Sequence, residues 1–194
     1  MVLASQLRAG MAIQFQKQEY KVIAAEYHPG QGQMGGSTHA RLQSLETGTF
    51  WEHSFRSELR LEEIPLAKQS LEFLYADADH SCFMNPETFE QTEIPNAMVG
   101  PSASFLEPGM RLVVEFVEGR PVSVVFPEVL EVKIASTAPP THQQQDAAFK
   151  SARLENGAEV MVPQFIKAGD TIRLAVVSMK YMDRVKADAK TKHG

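Results

Sequence analysis

Between His28 and His39 the chain reads His-Pro-Gly-Gln-Gly-Gln-Met-Gly-Gly-Ser-Thr-His, and its chemistry is that of uncharged amides and bare backbone. Gly30, Gly32, Gly35 and Gly36 leave few side chains over the main chain and open positive φ repeatedly. Such a tip can enter a narrow space or lie against another backbone. Gln31 and Gln33 each offer N–H donors and a carbonyl acceptor without charge. No Lys or Arg occurs between Lys21 and Arg41, so the segment holds no ammonium or guanidinium of its own. Strand-like runs flank it: Glu19–Tyr27 before, then His39–Leu45 and Gly48–Phe55 after. A connection between two strands needs only about two to five residues. A longer one often carries function, the plain alternative being a solvent-exposed hairpin end.

Elsewhere the constellations that support catalysis are missing. There is no Gly-x-Ser-x-Gly elbow, no phosphate loop ending in Lys-Ser/Thr and no His-Glu-x-x-His. The glycines at 30–36 are not followed by a helix, so no helix terminus assists anion binding there. Cys82 stands alone, which rules out an intrachain disulfide, fits a reducing compartment and reads as a small buried hydrophobe. His28, His39, His53, His80, His142 and His193 show no metal-ligand spacing. Glu62-Glu63 and Asp77/Asp79 read as solvated turn residues. An enzyme is not expected, nor a cofactor or metal.

The chain has 194 residues, 43% of them hydrophobic and 22% charged, the profile of a soluble globular protein. No apolar run approaches a membrane-spanning length, no basic-then-apolar leader opens the chain, and a cytoplasmic location is the expectation. The net charge of −5 is unevenly spread. Residues 1–65 carry 6 Lys/Arg against 7 Asp/Glu, residues 66–130 carry 3 against 10, and residues 131–194 carry 10 against 7. An acidic middle beside a basic end suits a protein that touches phosphates in some places only.

The elements that must hold the loop are short and alternating. Met11–Gln16, Tyr20–Ile23, Phe50–Phe55, Leu71–Tyr75, Arg111–Val117 and Val122–Phe126 are rich in β-branched and aromatic residues, as are Glu128–Ile134, Glu159–Pro163 and Thr171–Val177. Glu118-Gly-Arg-Pro between two of them reads as a hairpin turn. Ala97-Met-Val-Gly is at most one helical turn. The pattern is all-β, and strands of this length suit three small barrels of similar size. Leu61–Lys68, with its proline, and the polar Ser136–Ala147 stretch punctuate the division.

Longer motifs carry a resemblance. Lys150–Arg173, with Asn156-Gly157, Pro163 and Gly169 inside it, followed by Tyr181-Met-Asp-Arg184, is similar to the carboxy-terminal signature of bacterial elongation factor P. Leu74–Asp79 followed by Phe83–Gln91 resembles that family's second domain, and Leu7-Arg-Ala-Gly-Met its start. Pro29-Gly-Gln-Gly32 stands where the family carries Pro-Gly-Lys-Gly. The resemblance implies an SH3-like (KOW) domain at 1–65 with its functional loop at 28–39, OB-fold domains at 66–129 and 130–188, a tail at 189–194, and a tRNA-like L shape. It implies a monomeric factor that binds the ribosome beside the peptidyl tRNA, away from any membrane, contacting rRNA and the exit-site codon of the mRNA. It also implies stimulation of peptide bond formation at consecutive prolines.

On that comparison the family's loop-tip lysine is replaced by Gln31, or by Gln33 if the gap is placed differently, with Pro29, Gly30, Gly32 and Met34 around it. The loop is slightly longer than the common bacterial version, and its exit, His39-Ala-Arg41, is similar to the His-Ala-Lys of the hypusine-bearing relatives. Lysylation, rhamnosylation or hypusination in the familiar form has no acceptor. Either an unmodified glutamine serves, or peptidyl-transferase stimulation has been lost, leaving a non-ribosomal RNA-binding or chaperone-like paralogue. The family's Gly-Asp-Thr loop corresponds to Gln145-Asp146-Ala147, where only Asp146 survives. Tyr181 and Arg184 match the carboxy-terminal pair, and Arg41, Asp146, Tyr181 and Arg184 are the expected RNA contacts. Trp51 reads as barrel packing rather than as a base platform.

Overall fold

A computed structural model describes residues 1–31, 35–139 and 148–186. These form three antiparallel sheets with little helix, so the all-β expectation holds. The first sheet contains β1 (Val2–Leu3), β2 (Ala12–Phe15), β3 (Gln18–His28), β4 (Ser37–Ser44), β5 (Phe50–Arg56) and β6 (Arg60–Ile64), in the spatial order β1-β6-β2-β3-β4-β5. Alternation places its core: on β4, Thr38, Ala40 and Leu42 face inward while His39 and Arg41 face solvent. Ala4, Ile13, Val22, Leu42, Phe55 and Leu61 meet in that interior.

Aromatic rings join β5, at the end of this order, to β2. The Phe15 ring lies 5.1 Å from Phe55, 5.3 Å from His53 and 6.0 Å from Trp51, and Trp51 stacks on His53 at 4.7 Å. Rings at these separations contribute beyond the area they bury. Trp51 thus rests against Phe15 and His53 on one side, yet it is 36% exposed and lies outside the buried core, so the barrel-packing expectation holds only in part.

The second sheet follows as β7 (Ala67–Ala76), β8 (His80–Met84), β9 (Gln91–Pro95), β10 (Arg111–Val117) and β11 (Arg120–Val125), in the order β11-β10-β7-β8-β9. Leu71, Phe73, Phe83, Ile94, Leu112 and Val114 are buried, with the Phe73 and Phe83 rings edge to face at 5.4 Å. A single helical turn, α1 (Asn96–Val99), follows β9. The hairpin β10–β11 turns on Glu118 (φ 48°) and Gly119 (φ 79°), both left-handed as a two-residue turn between twisted strands requires.

The third sheet contains β12 (Val129–Thr137), β13 (Phe149–Leu154), β14 (Glu159–Pro163), β15 (Thr171–Ala175) and β16 (Lys180–Arg184), in the order β14-β13-β12-β15-β16. Ile134, Leu154, Val162, Ile166, Ile172 and Leu174 fill its core, and Phe105, which precedes β10 in sequence, packs among them. The chain forms two compact units: residues 1–103 with 107–125, and residues 104–106 with 126–194. The first two sheets thus share one unit. Among the described residues no helix is long and apolar enough to cross a membrane.

Candidate functional site

The loop singled out by its glycines sits at the end of the β3–β4 hairpin. Pairing continues outward through Glu26↔His39, Tyr27↔Thr38 and His28↔Ser37, with one register shift between Val22 and Ala24. The ladder therefore takes in residues that a reading of the loop as 28–39 leaves outside it, and the connection is residues 29–36. Pairing stops at Pro29, which has no N–H to donate. Pro29, Gly30 and Gln31 are exposed. Gly32, Gln33 and Met34 lie outside the described residues, as do Asp146 and the tail at 189–194.

The loop's exit is seated. Ser57 N–H donates to the Gly36 carbonyl at 3.0 Å. A Cβ at Gly36 would stand 2.8 Å from both Ser57 Oγ and the Tyr27 hydroxyl, and 2.9 Å from the His28 carbonyl oxygen. Only glycine fits there without movement. At neighbouring Gly35 a Cβ would meet open space. Thr38 and Ser57 are buried beside this seat, and neither hydroxyl has a hydrogen-bond partner. Local sequence pattern signals none of this beyond the doubled glycine itself.

Arg41 projects from the outer face of β4, opposite Glu52, with its guanidinium 4.9 Å from the centre of the exposed Phe50 ring. That arrangement is a cation–π pair on a solvent face. His39 Nδ1 hydrogen-bonds Ser54 Oγ at 3.1 Å, and its Nε2 lies 3.7 Å from Glu52. The hairpin therefore brings Pro29, Gly30, Gln31 and Arg41 onto one element.

Tyr181 and Arg184 share β16 in the other unit. Tyr181 is partly buried against the third core, opposite Leu174. Arg184 is 3.9 Å from Asp170 and 5.8 Å from the centre of the Phe165 ring, so its charge already has local company. Nearby, Arg173 forks onto Asp183 at 2.6 and 2.5 Å, and that carboxylate raises the guanidinium's pKa. A groove of about 510 Å³ lies on this sheet between Phe149, Met161, Met179 and Tyr181. In the second sheet, Asp77 accepts N–H donations from Asp79 at 2.8 Å and His80 at 2.7 Å. The His80 and Asp79 amides hold its carboxyl below the ordinary value. It is a turn-capping residue. Among the described residues no group of three or more His, Cys, Asp or Glu is arranged to hold a metal ion.

Three family models match in order along the chain: the elongation factor P KOW-like domain over residues 3–61, its OB domain over 66–124, and its C-terminal domain over 130–184. An elongation factor P from Gemmatimonas aurantiaca is 34% identical over 184 residues, covering 94% of this chain and 97% of that one. The chain belongs to the elongation factor P family. A second relative, the elongation factor P of Acidobacterium capsulatum, is 32% identical over 182 residues, covering 93% and 97% of the two chains. Among solved structures, "Eukaryotic translation initiation factor 5A from Methanococcus jannaschii" is 17% identical, with a TM-score of 0.45 over 64% of this chain and 92% of that one. Membership in the elongation factor P family makes this a translation elongation factor by kinship. It assigns the first sheet to the KOW-like domain and the other two to OB-type domains.

Proposed function

We propose that this chain acts on the ribosome beside the peptidyl tRNA, relieving stalls at consecutive prolines through the loop at residues 29–36, with an unmodified glutamine at its tip. The observation that carries the reading is a long two-strand hairpin whose connection begins with the exposed, uncharged Pro29, Gly30 and Gln31, in the domain matched to the family's KOW-like model. Proline's fixed φ and secondary amine make it a poor participant in peptide bond formation. A factor that adds no reacting group accelerates such a step by holding the reactants in near-attack geometry. The amide of Gln31 or Gln33 donates and accepts hydrogen bonds toward the terminal nucleotides of the tRNA. The extra residues of the loop supply the reach that an extended lysine supplies elsewhere. Arg41, Asp146, Tyr181 and Arg184 are the proposed RNA contacts, Arg184 at the cost of its company with Asp170. The net charge of −5 keeps such a factor from binding RNA indiscriminately.

The test is a reconstituted translation reaction on a triple-proline message, with the wild-type chain and the Gln31→Ala and Gln33→Ala variants. The expected result is relief by the wild type and a loss of about tenfold or more in at least one variant. Relief untouched by both substitutions removes the tip from the mechanism. Salt-sensitive binding to RNA without ribosomes, together with no relief by the wild type, favours the paralogue that has left proline rescue.

A further inference from the structure

Glu115 on β10 is 2% exposed, and its principal partner is not in its own sheet. Its Oε2 accepts from Lys21 Nζ on β3, the strand that runs on to the loop, and Lys21 Nζ also donates to Ser123 Oγ at 2.9 Å. Lys68 Nζ stands 3.8 Å from the other carboxylate oxygen. A second pin crosses in the reverse sense. Arg120, just past the β10–β11 turn, donates to Glu19 Oε2 at 2.5 Å and to the Leu45 carbonyl at 3.1 Å. A third approach is steric. Gly48 (φ +74°) comes so near α1 that a Cβ there would sit 2.6 Å from the Ala97 carbonyl oxygen. Between these points Ala12, Leu45, Val117 and Val122 are buried together, with Ile64 and Leu66 against them.

A carboxylate this buried is tolerated only when it is paired and hydrogen-bonded. Apolar contacts between two sheets favour burial without specifying direction. An ion pair with a defined hydrogen-bond partner does specify direction, and here one end of it belongs to the strand that carries the loop.

We propose that Lys21 and Glu115 are positioning residues, whose buried ion pair, seconded by Arg120, fixes the loop-bearing hairpin to the second sheet so that both move as one rigid arm. The proposal rests on the function proposed above for what the arm presents. It does not rest on that function for the joint itself.

The test uses the full chain, isotopically labelled, with residual dipolar couplings read from the amides of the first two sheets. The double variant Lys21→Met/Glu115→Leu removes both charges at once, so it strands neither and keeps the volume filled. In the wild type one alignment tensor is expected to fit both sheets. In the double variant two tensors are required, its melting temperature stays within a few degrees of wild type, and triple-proline relief falls by about tenfold or more. Adding Arg120→Ala is expected to deepen both changes. One tensor in both variants with undiminished relief overturns the proposal. So does a loosened joint with full relief, or lost relief with an intact joint. If the apolar pair does not fold, Lys21→Gln/Glu115→Gln carries the same comparison. A wild type without any stall relief defeats the proposed function, while the tensor comparison still decides the joint.

Discussion

At its root the β3–β4 hairpin sets Lys21 against the buried Glu115 and Ser123, and at its tip it presents Pro29, Gly30 and Gln31 to solvent without a cation. Between these two ends, β3 passes from strand surrounded by protein to strand paired only with its neighbour. The only ammonium on β3 is at the root, where it neutralises a charge. Between Lys21 and Arg41 the sequence has no other Lys or Arg, and the loop segment carries the amides of Gln31 and Gln33. The difference separates two demands on one element. The root uses directional charge under low exposure, as the proposed fixed joint requires, while the loop uses small residues and neutral hydrogen-bonding groups, as the proposed entry into another molecule's space requires.

The largest expected effect lies at the root. Lys21→Ala leaves the buried Glu115 carboxylate facing only the exposed Lys68, at 3.8 Å, and is expected to cost about 3 kcal/mol. Urea unfolding checks it, and a loss below about 1 kcal/mol would make the pair a surface-like contact. Next is the loop seat. Gly36→Ala forces a methyl within 2.9 Å of the His28 carbonyl and is expected to cost about 1–3 kcal/mol, whereas Gly35→Ala, facing open space, costs little. The paired melting curves test the seat directly, since equal losses would deny it.

Thr38→Val reverses the usual sign. The Thr38 hydroxyl is buried and unpartnered, so replacing it with a methyl of similar shape is expected to be neutral or stabilising by up to about 1 kcal/mol. A clear destabilisation would mean that the hydroxyl has a partner.

The smallest effect is expected at Asp77, far from either end of the hairpin. Its folded pKa is depressed below 3.8 by the His80 and Asp79 amides, so its contribution is present above the unfolded value and lost as pH falls through the folded one. Asp77→Ala should lower the melting temperature slightly at pH 7. The gap to wild type should close on acidification below about pH 4.

Much of this was readable along the chain. Alternation of apolar and polar residues marked the strands, and Glu118-Gly119 marked its turn, because both signals are local. Gly36 and its doubled neighbour were visible as glycines, but only the approach of Ser57 and Tyr27 distinguishes the seated one from the free one. Glu115 within Arg111-Leu-Val-Val-Glu-Phe-Val reads locally as a solvent-facing interruption of an apolar strand. Its burial depends on a lysine 94 positions away, which no periodicity carries. Phe105 is similar: a phenylalanine before one sheet fills the core of another, and only the folded chain assigns it.

If the tip works without charge or attachment, the peptide Val22–Arg41 carries no added group. Trypsin releases that peptide whole, since no Lys or Arg lies inside it. Its mass, measured on protein taken from the native source, is expected to equal that of the bare sequence. An added mass on Gln31, Gln33 or any neighbour in the peptide would contradict the account.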